Sequence, residues 1–264
     1  MESPMEGEEE ELSNFRRQSL TVTNTDEEVR ELPVLQRLQF PLIWARLSTG
    51  IRIQDLKENQ FTDAISVIKA SFFHEEVLCK TTRLADDEKS VEGYLEHIHY
   101  WMEDGASVVA VHEGSGLVVG VMLGIVVSRL FHTRTYSRIC LIQGEALEKL
   151  MKYQWHIHKK ANVFERFNVD DYYRVCLLSI LPEYRGLGIG MGFMITAEKM
   201  TRLMGLTVLT GIFTNASSQN LASKIGMENV FEVRYIQWLE NDEMVFQEPG
   251  PGNYSSILMA KKLS

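Results

Sequence analysis

The sequence predicts an α/β fold on a mixed, mostly antiparallel sheet flanked by helices, and three observations predict it. Apolar runs of strand length alternate with stretches whose apolar residues recur at helical spacing. Two of those runs are joined by Glu113-Gly114-Ser115-Gly116, which holds the glycines a hairpin connection wants. A third run, ending in Leu177-Leu178-Ser179-Ile180-Leu181, passes through Pro182 and four alternating glycines into a helical pattern.

Residues 1–33 are poor in apolar side chains and carry a run of like charge, so they are expected to be disordered. The division drawn from this is an acidic tail over 1–45 and a folded domain over 46–264. Arg16-Arg17-Gln18-Ser19 in the tail is either a site for a basophilic kinase at Ser19 or an ordinary solvated stretch. Gly50-Ile51-Arg52-Ile53-Gln54 alternates as a short strand. Asp55 then offers an N-cap to a helix in which Phe61, Ile65, Ile68 and Phe72 share a face. A second helix is expected over 87–104, with Val91, Tyr94, Leu95 and Ile98 inward.

Strands follow at 108–112 and 117–127, and the long apolar run of the second makes it central. Residues 143–166 read as an amphipathic helix, then 172–181 and 207–213 as buried strands. Asn215-Ala216-Ser217-Ser218 opens a helix with Leu221 and Ile225 inward and Gly226 as its C-cap. Strands at 230–239 and 255–262, either side of Pro249-Gly250-Pro251-Gly252, complete the chain. There is no internal repeat.

Net charge is −9 over 264 residues, which argues against nonspecific nucleic-acid binding. Residues 1–12 contribute six Glu and no base, leaving −3 for the rest. Cys79, Cys140 and Cys176 are too scattered for a disulfide framework or a cysteine zinc site. His97-x-His99 and His156-x-His158 point to different faces of their helices, so no metal is expected. The N-terminus lacks the basic and apolar regions of a signal peptide, and no apolar run could span a bilayer. A soluble, cytoplasmic monomer is expected, with a small molecule rather than nucleic acid or membrane as partner.

The glycine turn carries the chemistry. Strand, glycine loop and helix leave unpaired N–H groups at a helix N-terminus, where the dipole favours negative charge. Arg185 adds a fixed positive charge beside them, so the stretch reads as a site for a phosphorylated cofactor; a tight packing turn is the alternative. No Lys follows the glycines until Lys199, which excludes a P-loop. Met191 stands where a dinucleotide fingerprint needs its third glycine, and 206–212 hold no acid for a ribose. What remains is Arg-x-x-Gly-x-Gly, from Arg185 through Gly188 to Gly190.

That loop resembles the pyrophosphate loop of the GCN5-related N-acetyltransferases (GNAT), and the element order from about 51 to 263 is similar to their acyl-CoA N-acyltransferase fold. Phe72-Phe73-His74-Glu75-Glu76-Val77-Leu78, Tyr184-Arg185-Gly186-Leu187-Gly188-Ile189 and the stretch 218–226 resemble the insect arylalkylamine (dopamine) N-acetyltransferases. The resemblance implies acetyl-CoA as cosubstrate, with Glu76 as general base. Val77 stands where the family has proline. It also places the family's two active-site hydroxyls at Thr214 and Ser218. The implied cofactor-binding residues are Leu178, Ser179 and Ile180 as backbone donors, then Arg185, Gly186, Leu187, Gly188, Ile189, Gly190 and Met191. Asn215 either binds the pantetheine arm or caps its helix.

An alkylamine with a pKa of ~10 is almost wholly ammonium at pH 7, and only the neutral amine attacks a thioester. A carboxylate at a helix end can accept that proton directly or through one water; Glu75 competes with Glu76 for this role. The developing oxyanion needs donors such as the strand amides of 178–180. Ser218 either positions or protonates the departing thiolate, or is a plain helix-surface serine. Tyr100, Trp101, Phe131, Tyr153 and Trp155 are candidates for an aromatic amine pocket, though aromatics are ordinarily core. The expected activity is direct acetyl transfer, without an acyl-enzyme, to a small arylalkylamine of the dopamine, serotonin, tyramine or octopamine class. The alternatives are another amine (polyamine, amino acid or protein N-terminus) and a non-catalytic coenzyme A-binding module.

Overall fold

The computed structural model describes residues 41–130 and 144–263. The readings placed on 1–40, on Cys140, on Phe131 and on the first residue of the 143–166 helix lie outside the described residues.

The elements are β1 (Ile43–Leu47), β2 (Ile51–Asp55), α1 (Phe61–Val67), α2 (Val77–Thr81), α3 (Glu88–Glu103), β3 (Val108–His112) and β4 (Val118–Ser128). They continue as α4 (Glu145–Ala161), α5 (Val163–Phe167), β5 (Asp171–Ile180), α6 (Ile189–Leu203), β6 (Val208–Phe213) and α7 (Ala216–Lys224). Last come β7 (Glu228–Arg234), a small β8–β9 hairpin (Leu239–Glu240, Glu243–Met244) and β10 (Ser255–Lys262). Eight strands form one sheet in the order β1-β2-β3-β4-β5-β6-β10-β7. Every neighbouring pair is antiparallel except β5–β6, which α6 joins as a crossover.

Each face of the sheet carries its own core. One gathers α1 to α5 over Val109, Val121, Leu123 and Leu177, with Phe73, Tyr94 and Tyr153 buried inside it. The other packs α6 and α7 over Val108, Met122, Tyr173 and Leu209, through Phe193, Met194 and Ile225. Burying side chains of this kind is worth roughly 1.5–3 kcal/mol each. β4 is buried along almost its whole length, as a central strand must be.

Several expectations change in detail. Asp55 ends β2 instead of capping a helix: its carboxylate accepts from Trp44 Nε1 at 2.7 Å and from the Leu42 amide at 3.0 Å, tying down β1. β1 itself was not predicted, and it straddles the boundary drawn at 45. The helix expected over 143–166 breaks at Asn162, whose φ of 42° is left-handed. The strand expected over 230–239 stops at Arg234, where the chain turns through Tyr235–Gln237.

Candidate active site

The site is built where β5 and β6 part. Their pairing runs only from Tyr173↔Leu209 to Val175↔Gly211, although β5 continues to Ile180. On its other side β5 stays in register with β4 up to Ile180↔Gly120. The Leu181 amide donates to Val119 O of β4 at 3.0 Å. Strand alternation therefore turns the backbone of Ile180 and Leu178 toward the gap and that of Ser179 toward β4. Two of the three predicted backbone donors face the gap, and the Ser179 amide is corrected to a sheet position.

Below the gap lies the glycine loop. Gly188 is left-handed, with φ 81°, and leads into α6, where Gly192 is the first residue whose N–H joins the ladder, to Gly188 O at 2.9 Å. The amides of Ile189, Gly190 and Met191 are thus the free N-terminal donors of a 15-residue helix. No Cβ could sit at Gly188 without strain, so this backbone bend requires glycine. Thr49 Oγ1 braces the loop by donating to Leu187 O at 3.3 Å. A gap with unpaired strand edges above a helix N-terminus fits a long thioester with a diphosphate at its far end.

Arg185 is already engaged in this structure. Its Nε donates to Ile180 O at 3.1 Å and its Nη2 to Ser71 Oγ at 2.8 Å, and it forms a short ion pair with Glu75. Glu75, the competing base, is therefore committed to a guanidinium.

Glu76 is delivered from the opposite side by a deliberate break in a helix. α1 widens into a π turn over Ile68–Phe72, closes one more turn over Phe73–Glu75, and then Glu76 is extended (φ −62°, ψ 135°) before α2 starts at Val77. Such wide turns are frequent at functional sites. One carboxylate oxygen caps α2 by accepting from the Cys79 amide at 2.8 Å. The other accepts from Thr214 Oγ1 at 2.6 Å, across 138 residues of sequence. Thr214 is the first residue beyond β6, so this bond closes the wide end of the gap.

Ser218 lies in the first turn of α7, its hydroxyl donating to Asn215 O at 3.0 Å. Asn215 takes the capping role: its Oδ1 accepts from the Ser218 amide at 2.8 Å. Two aromatic residues, Phe72 and Phe73, precede Glu76 in the turn that carries it. Phe73 stacks on Tyr94 at 5.5 Å and Phe72 meets the same ring edge-on at 6.2 Å. Burial, then the neighbouring Cys79 and Glu76 side chains, push the Tyr94 phenol up. Burial first, and then Glu76, also raise the Cys79 thiol, while burial raises Cys176. Neither thiol is therefore a ready nucleophile.

Of the aromatics predicted for a pocket, Trp101 and Tyr153 are core residues, whereas Tyr100 and Trp155 stand on outer faces. His97 stacks on Trp101 and His156 meets Trp238 at a tilt; no group of three His, Cys, Asp or Glu among the described residues could hold a metal. Nor is any described helix long and apolar enough to cross a membrane. A cavity of about 450 Å³ lies elsewhere, between α4 and the β8–β9 hairpin, where Glu145, Glu148 and Glu240 face Lys149 and Lys152. Sequence reasoning missed Ser71 and Tyr235, whose partners are backbone carbonyls or side chains far along the chain.

No protein-family model matches the chain. Among solved structures it is similar to one assigned as arylalkylamine N-acetyltransferase 7 of the yellow fever mosquito, Aedes aegypti, at 27% identity over 85% of this chain and 96% of that one, with a TM-score of 0.75. The chain has the fold of the GNAT acetyltransferases and is similar to their insect arylalkylamine N-acetyltransferases. Two further structures share the fold. Arylalkylamine N-acetyltransferase 2 of Aedes aegypti is 24% identical over 81% of this chain and 100% of its own, with a TM-score of 0.74. A polyamine N-acetyltransferase of Drosophila melanogaster is 18% identical over 81% and 100%, with a TM-score of 0.70. These neighbours are N-acetyltransferases, which supports an acyltransferase activity for this chain.

Proposed function

We propose that this enzyme transfers acetyl directly from acetyl-CoA to the primary amine of a small arylalkylamine, with Glu76 as general base. The observation that carries the proposal is the Thr214–Glu76 hydrogen bond of 2.6 Å at the open end of the β5–β6 gap. It holds a carboxylate beside the gap that fits the thioester. Bound acetyl-CoA supplies an activated acetyl group and a thiolate leaving group.

The chain's own residues then divide the work. The amides of Ile189, Gly190 and Met191, with Gly186, Leu187 and Gly188 shaping the loop, hold the diphosphate at the N-terminus of α6. Arg185 adds its charge once released from Glu75. The Leu178 and Ile180 amides face the gap and receive the charge that develops on the carbonyl oxygen. Glu76 takes a proton from the incoming ammonium, without which its nitrogen has no lone pair to offer. Thr214 holds one oxygen of that carboxylate and the Cys79 amide the other, so the base has one orientation. Ser218 serves the departing thiolate, turning its hydroxyl from Asn215 O as it does so. The raised thiols of Cys79 and Cys176 favour direct transfer over an acyl-enzyme.

Phe72, half-buried in the turn that leads to Glu76, favours an aryl group on the acceptor. A panel of dopamine, serotonin, tyramine, octopamine, agmatine and spermidine, read by thiol release from acetyl-CoA, tests this. Arylalkylamines are expected to lead in kcat/KM. A preference for agmatine or spermidine overturns the substrate class, and acetyl-CoA binding without thiol release for any amine overturns the enzymatic reading.

A further inference from the structure

β6 loses its β5 partner beyond Gly211, yet its end must stay still to present Thr214. The carbonyls just past this point are taken by side chains. Gln219 Nε2 donates to Phe213 O at 3.1 Å and to Ser255 O at 2.8 Å, stapling β6 to β10. The next carbonyl, Thr214 O, accepts from the Tyr235 hydroxyl at 2.5 Å, and that hydroxyl lies 3.0 Å from Ser256 Oγ on β10. Tyr235 has one hydrogen to give. With it directed at Thr214 O, the second bond must run from Ser256 to Tyr235, so the order is Ser256 to Tyr235 to Thr214, whose own hydroxyl donates to Glu76.

Tyr235 is 2% exposed, and its ring is clamped by Tyr153 at 6.1 Å and Phe246 at 5.7 Å. Burial above all raises its phenol, so it remains a donor throughout the working pH range. The hydroxyl that fixes Glu76 is thus fixed in turn by a phenol from a different part of the chain.

We propose that Tyr235 is a positioning residue for acetyl transfer: it anchors the Thr214 backbone so that the Thr214 hydroxyl is aimed at Glu76. This rests on the reading of Glu76 as the base. Tyr235→Phe keeps the ring and removes only the anchor. With the best amine of the panel, kcat is expected to fall about tenfold, because small displacements of a base cost large factors in rate. The Kd for acetyl-CoA and the KM for the amine are expected to stay within about twofold, since neither contact is touched. Ser256→Ala, which weakens the same chain from its far end without altering the tyrosine, is expected to lower kcat in the same sense by a smaller factor.

The decisive comparison is a double-mutant cycle. In a Thr214→Val background Tyr235→Phe is expected to cost almost nothing more, because the hydroxyl it positions is gone. A loss that multiplies in full in both backgrounds, or an unchanged kcat for Tyr235→Phe at retained Tm, overturns the proposal. If the parent enzyme turns over no amine, the functional reading fails separately. The anchor is then judged from a crystal structure of Tyr235→Phe, where the Thr214–Glu76 hydrogen bond is expected to be broken; its survival at the same distance overturns the proposal.

Discussion

Arg185 of the glycine loop is ion-paired with Glu75, the residue immediately before Glu76, while also bonding Ser71 and Ile180 O. The guanidinium expected to serve the cofactor diphosphate and the helix end carrying the base are thereby joined in one contact. An exposed pair of this kind (side chains 46% and 44% accessible) is worth at most about 1 kcal/mol. Glu75→Gln removes the competing carboxylate and is expected to tighten acetyl-CoA binding by up to about fivefold in calorimetry. Arg185→Glu is expected to abolish measurable binding.

Glu76→Gln preserves size and the cap on α2 while removing the proton acceptor. kcat/KM for the best amine is expected to fall by ~10²- to 10⁴-fold. Calorimetric binding of acetyl-CoA is expected to be unchanged. Equal kinetics for Glu76→Gln and parent would move the base elsewhere.

Gly124 on β4 lies against the ring of Tyr173, and a Cβ there would stand 2.0 Å from the phenol oxygen and 2.4 Å from Cζ. Tyr173 cannot retreat, because it is fully buried and donates to Ala106 O at 2.7 Å. Gly124→Ala is expected to cost about 1–3 kcal/mol by overpacking, seen as a Tm about 2–4 °C lower per kcal/mol. Adding Tyr173→Phe is not expected to rescue it, since the clashing ring carbons remain.

How much of this was legible in the sequence depended on distance along the chain. β4 and β5 declared themselves because a run such as 118–127 has no polar face to offer water. β1 did not: only two of its five residues, Ala45 and Leu47, are buried, and what secures Trp44 is a carboxylate eleven positions away. The break at Asn162 had a local signal in a residue that tolerates left-handed backbone. The Glu76–Thr214 contact carried none, and only the likeness to a known family brought those positions together. Tyr235 was invisible for a plainer reason: a phenol bonded to a backbone carbonyl leaves no mark on the partner's residue type.

Asp87 ties the start of α3 to the start of α4. It accepts from Ser90 Oγ at 2.6 Å and from the Ala146 amide at 3.3 Å. The Ser90 hydroxyl, more than the opposing effect of burial, and then the backbone amides hold its carboxyl below the ordinary value. A depressed carboxylate stabilises the fold above the unfolded-state pKa of ~3.9, and that contribution disappears as pH falls through the lower folded value. Asp87→Ala is expected to cost ~1 kcal/mol at pH 7 in urea denaturation. The difference from parent should shrink below about pH 4.

Val77 occupies the first position of α2, where proline is favoured, and Glu76 before it already has the extended backbone that a following proline imposes. Its amide takes no part in the cap, which uses the Cys79 N–H instead. The bend that the family's proline would enforce is therefore held here by the Glu76 carboxylate, through Cys79 and Thr214. Val77→Pro is expected to raise stability by about 0.4–1 kcal/mol through a stiffer unfolded chain. It should leave kcat within about twofold, because the base keeps both of its hydrogen bonds. A gain in Tm with preserved turnover would show that valine is tolerated at this bend rather than needed. A large loss of kcat would mean that Val77 contributes packing under Glu76 that the ring of proline cannot replace.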